Sequence, residues 1–278
     1  MSTPVNPPIL CLTGLPRSGA TLLSQLLAQH PDVHSTGYTS PLCDTLNGLR
    51  QHLSHSSHLY THLDADFNPT YQRLISAYQG FMAGWFSQVD TAWAVDKNND
   101  WLSNLEMLSH LGLNFRMVVM VRELGQIYGS IETQHQKTLL LDPPNQLAGL
   151  SRDDRAQALF EPSGPIGSPL AAISALQDVD SRLQQQLYYV VYEHLVQEPV
   201  TVIQKLFEWL DLAPAQVTPQ NLKIASAPTG NHSHYKTHSA MQKQVQPIQQ
   251  HVVPGRIQAT LRQNFAWYYN TFYPNPEA

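Results

Sequence analysis

The chain has 278 residues, 42% of them hydrophobic, enough for a sizeable core in one α/β domain or one domain with an insertion. A formal net charge of -5 argues against a nonspecific nucleic-acid binder, which shows a basic excess, yet leaves room for an anionic ligand held by a few cations in a cleft. Cys11 and Cys43 form no metal-ligand spacing and no disulfide framework, and neither a signal-peptide pattern nor an apolar run of about 20 residues is present, so the expectation is a reducing, cytoplasmic setting without a membrane span or a Golgi-type anchor.

Taken in chain order, Ile9-Leu10-Cys11-Leu12 reads as a buried strand that ends in a glycine loop. Residues 21–30 then place Leu22, Leu23, Leu26 and Leu27 on one helical face, and Pro31 ends the helix. Residues 33–35 suit a second short strand, and 42–53 and 70–86 read as helices. Ala92-Trp93-Ala94-Val95 is a strand that delivers Asp96 and Lys97 to a loop. Residues 102–111 look helical. The apolar run over 115–121 suits a central parallel strand covered on both faces, and a helix follows over 124–136.

Residues 137–169 carry five prolines and read as a long loop or lid insertion with some local helix, the kind of segment that is often functional. A helix over 171–186, a strand over 187–192 and a helix over 200–210 come next. Residues 213–254 are polar and irregular. A helix over 256–273 closes the chain, with Ile257, Leu261 and Phe265 in register. The alternation of strands and helices implies a parallel sheet with right-handed crossovers, and one domain is expected over 1–278.

The first glycine loop is the richest signal. Strand, glycine loop and helix together make an anion site, because the first N–H groups of a helix are unpaired and its dipole favours negative charge there. Gly14 and Gly19 let the backbone approach a ligand. Arg17 adds a permanently charged planar fork, and Ser18 and Thr21 add hydroxyls. The nucleotide P-loop needs Gly-x-x-x-x-Gly-Lys followed by Ser or Thr. Gly14 and Gly19 keep that spacing, but Ala20 stands in the lysine position, which disfavours ATP-driven phosphoryl transfer.

Gly14-Leu15-Pro16-Arg17-Ser18-Gly19-Ala20-Thr21-Leu22 resembles the 5′-phosphosulfate loop of sulfotransferases that use 3′-phosphoadenosine 5′-phosphosulfate (PAPS). Its Pro-Arg-Ser-Gly form is similar to the tyrosylprotein sulfotransferase branch and its bacterial and viral relatives. Ala20 departs from that family's usual Thr or Ser. The family's second signature is a strand ending in Arg with a Ser on the next helix. Here Val118-Val119-Met120-Val121 leads to Arg122, with Ser130 eight residues beyond. Tyr192-Glu193-His194-Leu195 resembles the family's Tyr-Glu-Asp-Leu segment, with His194 in place of Asp. The resemblance spans roughly 9–136 and 169–211.

The resemblance implies a P-loop-like three-layer α/β sandwich with a central parallel sheet flanked by helices. It implies an enzyme that moves a sulfuryl group in line from PAPS to a hydroxyl or amine acceptor and releases PAP, with no metal required. Pro16, Arg17, Ser18, Gly19, Ala20, Thr21 and Leu22 would hold the 5′ end, and Arg122 and Ser130 the 3′-phosphate. Tyr192 either faces the cofactor or packs at a strand end. Lys236 stands in a polar stretch where relatives place a lysine near the phosphates. Arg17 would hold the transferred group, and Lys97 would steady the bridging oxygen.

The general base is the gap. Tyrosylprotein-type relatives place a Glu shortly after the second strand, whereas Gly37 is followed here by Tyr38-Thr39-Ser40. Asp44, one turn into the next helix, is the nearest candidate. His34 is the other candidate, since an imidazole near pKa 6.5 suits base catalysis. The acceptor stays open among a small molecule, glycan, lipid or peptide, with no nucleic acid, and a homodimer is compatible with the sequence. The competing readings are a P-loop-type kinase acting on a small molecule and an inactive protein that binds PAPS or PAP.

Overall fold

The computed structural model describes residues 7–138, 147, 149–222 and 243–274. The first half runs β1 (Ile9–Gly14), α1 (Ala20–Leu27), β2 (Val33–His34), α2 (Leu42–Leu53), α3 (Ser57–Ala65), α4 (Phe67–Trp85) and β3 (Trp93–Lys97). A 3₁₀ turn (Asn99–Ser103), α5 (Leu105–His110), β4 (Phe115–Val121) and α6 (Leu124–Thr138) follow. The second half runs α7 (Arg152–Phe160), α8 (Gly167–Ala175), α9 (Ser181–Gln184), β5 (Leu187–Val191), α10 (Tyr192–Gln197) and α11 (Pro199–Trp209). It closes with α12 (Gly255–Asn264) and α13 (Ala266–Phe272).

The five strands are parallel, in the order β2-β3-β1-β4-β5. Side chains along a strand point alternately to opposite faces, and both faces are covered. Ile9 and Cys11 of β1, with Phe115, Met117, Val119 and Val121 of β4, enter one core that includes α2, α6 and α8 residues. Leu10, Leu12, Val118 and Met120 enter the other, against the α1 leucines and Ile203, Leu206 and Phe207 of α11. Coverage on both sides is why β4 reads as an unbroken apolar run. The result is the expected three-layer α/β sandwich. Chain order turns at β1: the chain builds β2 and β3 to one side of it and β4 and β5 to the other. Such switch points open a crevice at the carboxyl ends of the strands.

Two differences from the sequence expectation have local causes. The predicted helix over 171–186 is two helices, because Asp180 caps α9 by accepting from the N–H groups of Arg182 and Leu183. The predicted helix over 256–273 breaks at Phe265, where φ and ψ leave the helical region. Within 137–169, the segment read as a loop or lid with some local helix, the local helix is α7, and α8 begins at Gly167. Ser151 caps α7 by accepting from Asp154 N–H, and Arg155 on α7 makes a buried 2.6 Å ion pair with Glu132 on α6. The prolines mask that helix in the sequence, and its anchor lies on another element. α3 also went unread. Its N-cap is Ser56, yet it buries no residue, and its apolar face is reduced to the half-buried Leu59 and Leu63. Among the described residues no helix is long and apolar enough to cross a membrane.

Candidate active site

A cleft of about 570 Å³ opens at the carboxyl ends of β1, β3 and β4. Its floor is the β1–α1 loop. Gly19 sits at φ 93°, and a Cβ there would meet Cδ2 of Tyr192 at 2.5 Å, so only glycine fits under the Tyr192 ring. Arg17 is itself at φ 65°, a left-handed conformation uncommon for a residue with a Cβ. No side chain caps the start of α1, so its first-turn N–H groups point into the cleft as donors. Ala20 brings no hydroxyl to this rim. Ser18 is turned inward, donating from both N–H and hydroxyl to Leu15 O, the latter at 2.6 Å. It closes the loop that lines the cleft.

Arg17, Arg122, Ser130 and Tyr192, remote in sequence, meet at one point. Arg17 Nε donates to Ser130 Oγ at 3.1 Å, and Arg122 Nη1 donates to Arg17 O at 2.9 Å. The Arg122 guanidinium lies over the Tyr192 ring, 4.4 Å from its centroid, a cation–π arrangement. Tyr192 lines the cleft and also packs against the core under β4 and β5. Burial and then the neighbouring Arg122 guanidinium lower the Arg17 pKa from its ordinary value, while Tyr192 acts the other way. Arg122 is 7% exposed, and its Nε is buried without a hydrogen-bond partner among the described residues. A buried donor left unpaired costs free energy that an anion in the cleft would recover.

Lys97 reaches the same cleft from the end of β3, and its Nζ donates to Thr21 Oγ1 at 3.0 Å. Burial pulls its pKa down to about 8. Asp96 points to the other face of the sheet, where Trp101 Nε1 donates to it at 2.8 Å. Of the two sequence candidates for a base, His34 is exposed on β2 and does not line the cleft. Asp44 does not line it either. It accepts from Asn98 Nδ2 at 3.1 Å and is hydrogen-bonded to Asp100, which does line the cleft. Burial and then the Asp44 carboxyl raise the Asp100 pKa.

Sequence reasoning missed four residues of this site. Asp100 stands three residues beyond Lys97, and that short spacing was the only signal for it. Asn98 ties the loop before α2, α2 itself and β1 together through Ser40 O, Asp44 and its own N–H to Leu12 O. Tyr268 on α13 is fully buried, accepts from Arg122 N–H at 3.1 Å and donates to Arg122 O at 2.9 Å. His251 lines the cleft from a segment that read as irregular. Lys236 lies outside the described residues.

The chain matches the sulfotransferase family profile over residues 8–216. No curated protein matches by sequence. Among solved structures it is similar to the sulfotransferase domain of the Synechococcus PCC 7002 olefin synthase, with TM-score 0.50 and 18% identity over 96% of this chain and 98% of that one. It is also similar to the sulfotransferase domain from the curacin biosynthetic pathway, with TM-score 0.52 and 15% identity over 95% and 99%. A third is sulfotransferase STF9 from Mycobacterium avium, with TM-score 0.50 and 15% identity over 97% and 78%. At these identities the structural likenesses establish the fold.

Proposed function

The chain belongs to the sulfotransferase family, and from that premise we propose that its cleft takes PAPS as donor, the 5′-phosphosulfate against the start of α1 and the 3′-phosphate between Arg122 and Ser130. The observation that carries this reading is the junction of Arg17, Arg122 and Ser130, with a buried Arg122 Nε that has no partner among the described residues, beside the open first turn of a helix. That donor set suits two separated anionic groups and needs no metal to neutralise them. When bound, PAPS supplies the sulfuryl group, which passes to an acceptor oxygen or nitrogen as the bridging S–O bond breaks.

The chain's residues then divide the work. Arg17 and the α1 amides hold the sulfuryl oxygens. Lys97, paired with Thr21, faces the negative charge that develops on the leaving oxygen, the kind of fixed donor that contributes most to such transfers. Asp100 takes the acceptor's proton. It is the one carboxylate among the described residues that line the cleft, and its raised pKa suits a general base. The site leaves the acceptor undefined within hydroxylated or amine compounds.

A thermal-shift series with PAP, ATP and ATP plus Mg²⁺ tests the donor. PAP at about 100 times its Kd should stabilise the protein by about 2.7 kcal/mol. Stabilisation by ATP with Mg²⁺ and none by PAP would overturn the reading. Incubation of the protein with ³⁵S-labelled PAPS and a metabolite extract then tests transfer, with label in a new product as the expected result.

A further inference from the structure

His251 belongs to none of the sequence motifs, yet it is fastened into the cleft more firmly than its irregular segment suggests. Its N–H donates to Gln126 Oε1 at 2.7 Å, and Gln126 Nε2 donates back to His251 O at 3.2 Å. α6 makes room for it at Gly129, where a Cβ would collide with the His251 Cβ. Its ring lies against Thr133, one turn of α6 beyond Ser130 and on the same face.

The hydrogen bonds fix the tautomer. Thr133 Oγ1 is 2.8 Å from Gly129 O. A carbonyl oxygen can only accept, so the single hydroxyl proton goes there. The same Oγ1 is 3.0 Å from His251 Nδ1, and with its proton committed it accepts. Nδ1 therefore carries the hydrogen, and in the neutral ring Nε2 presents a lone pair. Nε2 has no hydrogen-bond partner among the described residues. A lone pair repels a phosphate oxygen, whereas a protonated Nε2 donates to it.

We propose that His251 is a ligand of the donor's 3′-phosphate and binds it by taking up a proton at Nε2. This rests on the placement of the 3′-phosphate between Arg122 and Ser130. The charges around the ring support it. Lys137 on α6, Arg122 at the end of β4 and Arg17 in the β1–α1 loop act on it, while Gln126, Gly129 and Thr133 against it are uncharged. Burial first, then Arg122, Arg17 and Lys137, lower its pKa from the ordinary value, so the ring is neutral near pH 7 in the free protein. A phosphate among these cations reverses the local field and favours the imidazolium. Proton uptake and phosphate binding then reinforce each other, as linkage requires.

The test is calorimetry of PAP binding to the full chain at pH 7 in Tris and in PIPES, whose ionisation heats differ. It is repeated with His251→Gln, with Thr133→Val and with 5′-AMP, which lacks the 3′-phosphate. Wild type should take up roughly half a proton or more per PAP beyond the His251→Gln variant. From pH 8 to pH 6 wild type should gain affinity relative to that variant by about tenfold for each unit by which the phosphate raises the imidazole pKa. Thr133→Val frees the ring to carry its hydrogen on Nε2, so it should bind PAP with less proton uptake. With 5′-AMP, wild type and His251→Gln should take up equal numbers of protons. Equal uptake and equal pH dependence with PAP in the two proteins would overturn the proposal, as would a His251-dependent uptake with 5′-AMP. Absence of PAP binding to wild type, by heat and by thermal shift, would instead sink the donor-site reading, and this proposal with it.

Discussion

Arg122 and Asp100 line the same cleft but are held in different ways. Arg122 is 7% exposed, with its backbone gripped on both sides by Tyr268, its guanidinium bonded to Arg17 O, and its plane over Tyr192. Asp100 is open to solvent and is steadied by its N–H to Asn98 Oδ1 and by the Asp44 carboxyl. In the proposed reading the donor end is thus set in place before any ligand arrives, which lowers the ordering cost of binding, and the acceptor end exposes its carboxylate to solvent.

Breaking the donor end should have the largest effect. Arg122→Ala removes a buried cation from a hydrogen-bonded cluster, a change that costs about 2–5 kcal/mol. PAP affinity by calorimetry should fall at least about 30-fold. An unchanged Kd would mean that the two ends of the cleft have been assigned wrongly.

Lys97→Ala probes the boundary between the two ends. Loss of a donor aimed at developing charge costs about 10²–10³ in kcat. Single-turnover transfer from labelled PAPS should slow by that amount while PAP binding changes little. A loss confined to binding would assign Lys97 to the donor end.

Asp100→Asn should lower kcat by about 10² or more at neutral pH and flatten the acid limb of the pH–rate profile. Asp44→Asn removes the carboxyl that raises the Asp100 pKa, so it should move that limb to lower pH with a smaller loss of rate. Retention of the limb in Asp100→Asn would place the base elsewhere.

The smallest expected effect is a pH dependence. Lys97 titrates at about 8 because burial disfavours its charged form. Its charge is present below that value and lost above it. The kcat/KM for PAPS, which reports the free enzyme, should therefore fall as pH rises past about 8, and Lys97→Ala should lack that fall.

Much of the fold was legible because the signals are local. The leucines of α1, the glycines around Arg17 and the apolar run of β4 are each spelled out within a few consecutive residues. The spacing of Arg122 and Ser130 was equally plain, and the structure joins both to Arg17. What escaped was set by distant partners. α7 hides behind prolines because its anchor, Glu132, is on another helix. Tyr268 falls within the predicted final helix without standing out there, although it fixes the Arg122 backbone across 146 positions of sequence. Of the two sequence candidates for a base, His34 faces solvent, and Asp44 meets the cleft lining through Asn98 and Asp100, 54 and 56 residues further along.

The sequence by itself determined the strand–loop–helix that meets an anion, the parallel sheet behind it and the arginine that joins it, since each follows from residue type and short-range period. Only the tertiary structure decided which carboxylate lines the cleft, which way the Ser18 hydroxyl turns and which tautomer His251 holds. Those depend on side chains brought together from remote segments, where a hydroxyl has one proton to give and a nearby carbonyl decides where it goes.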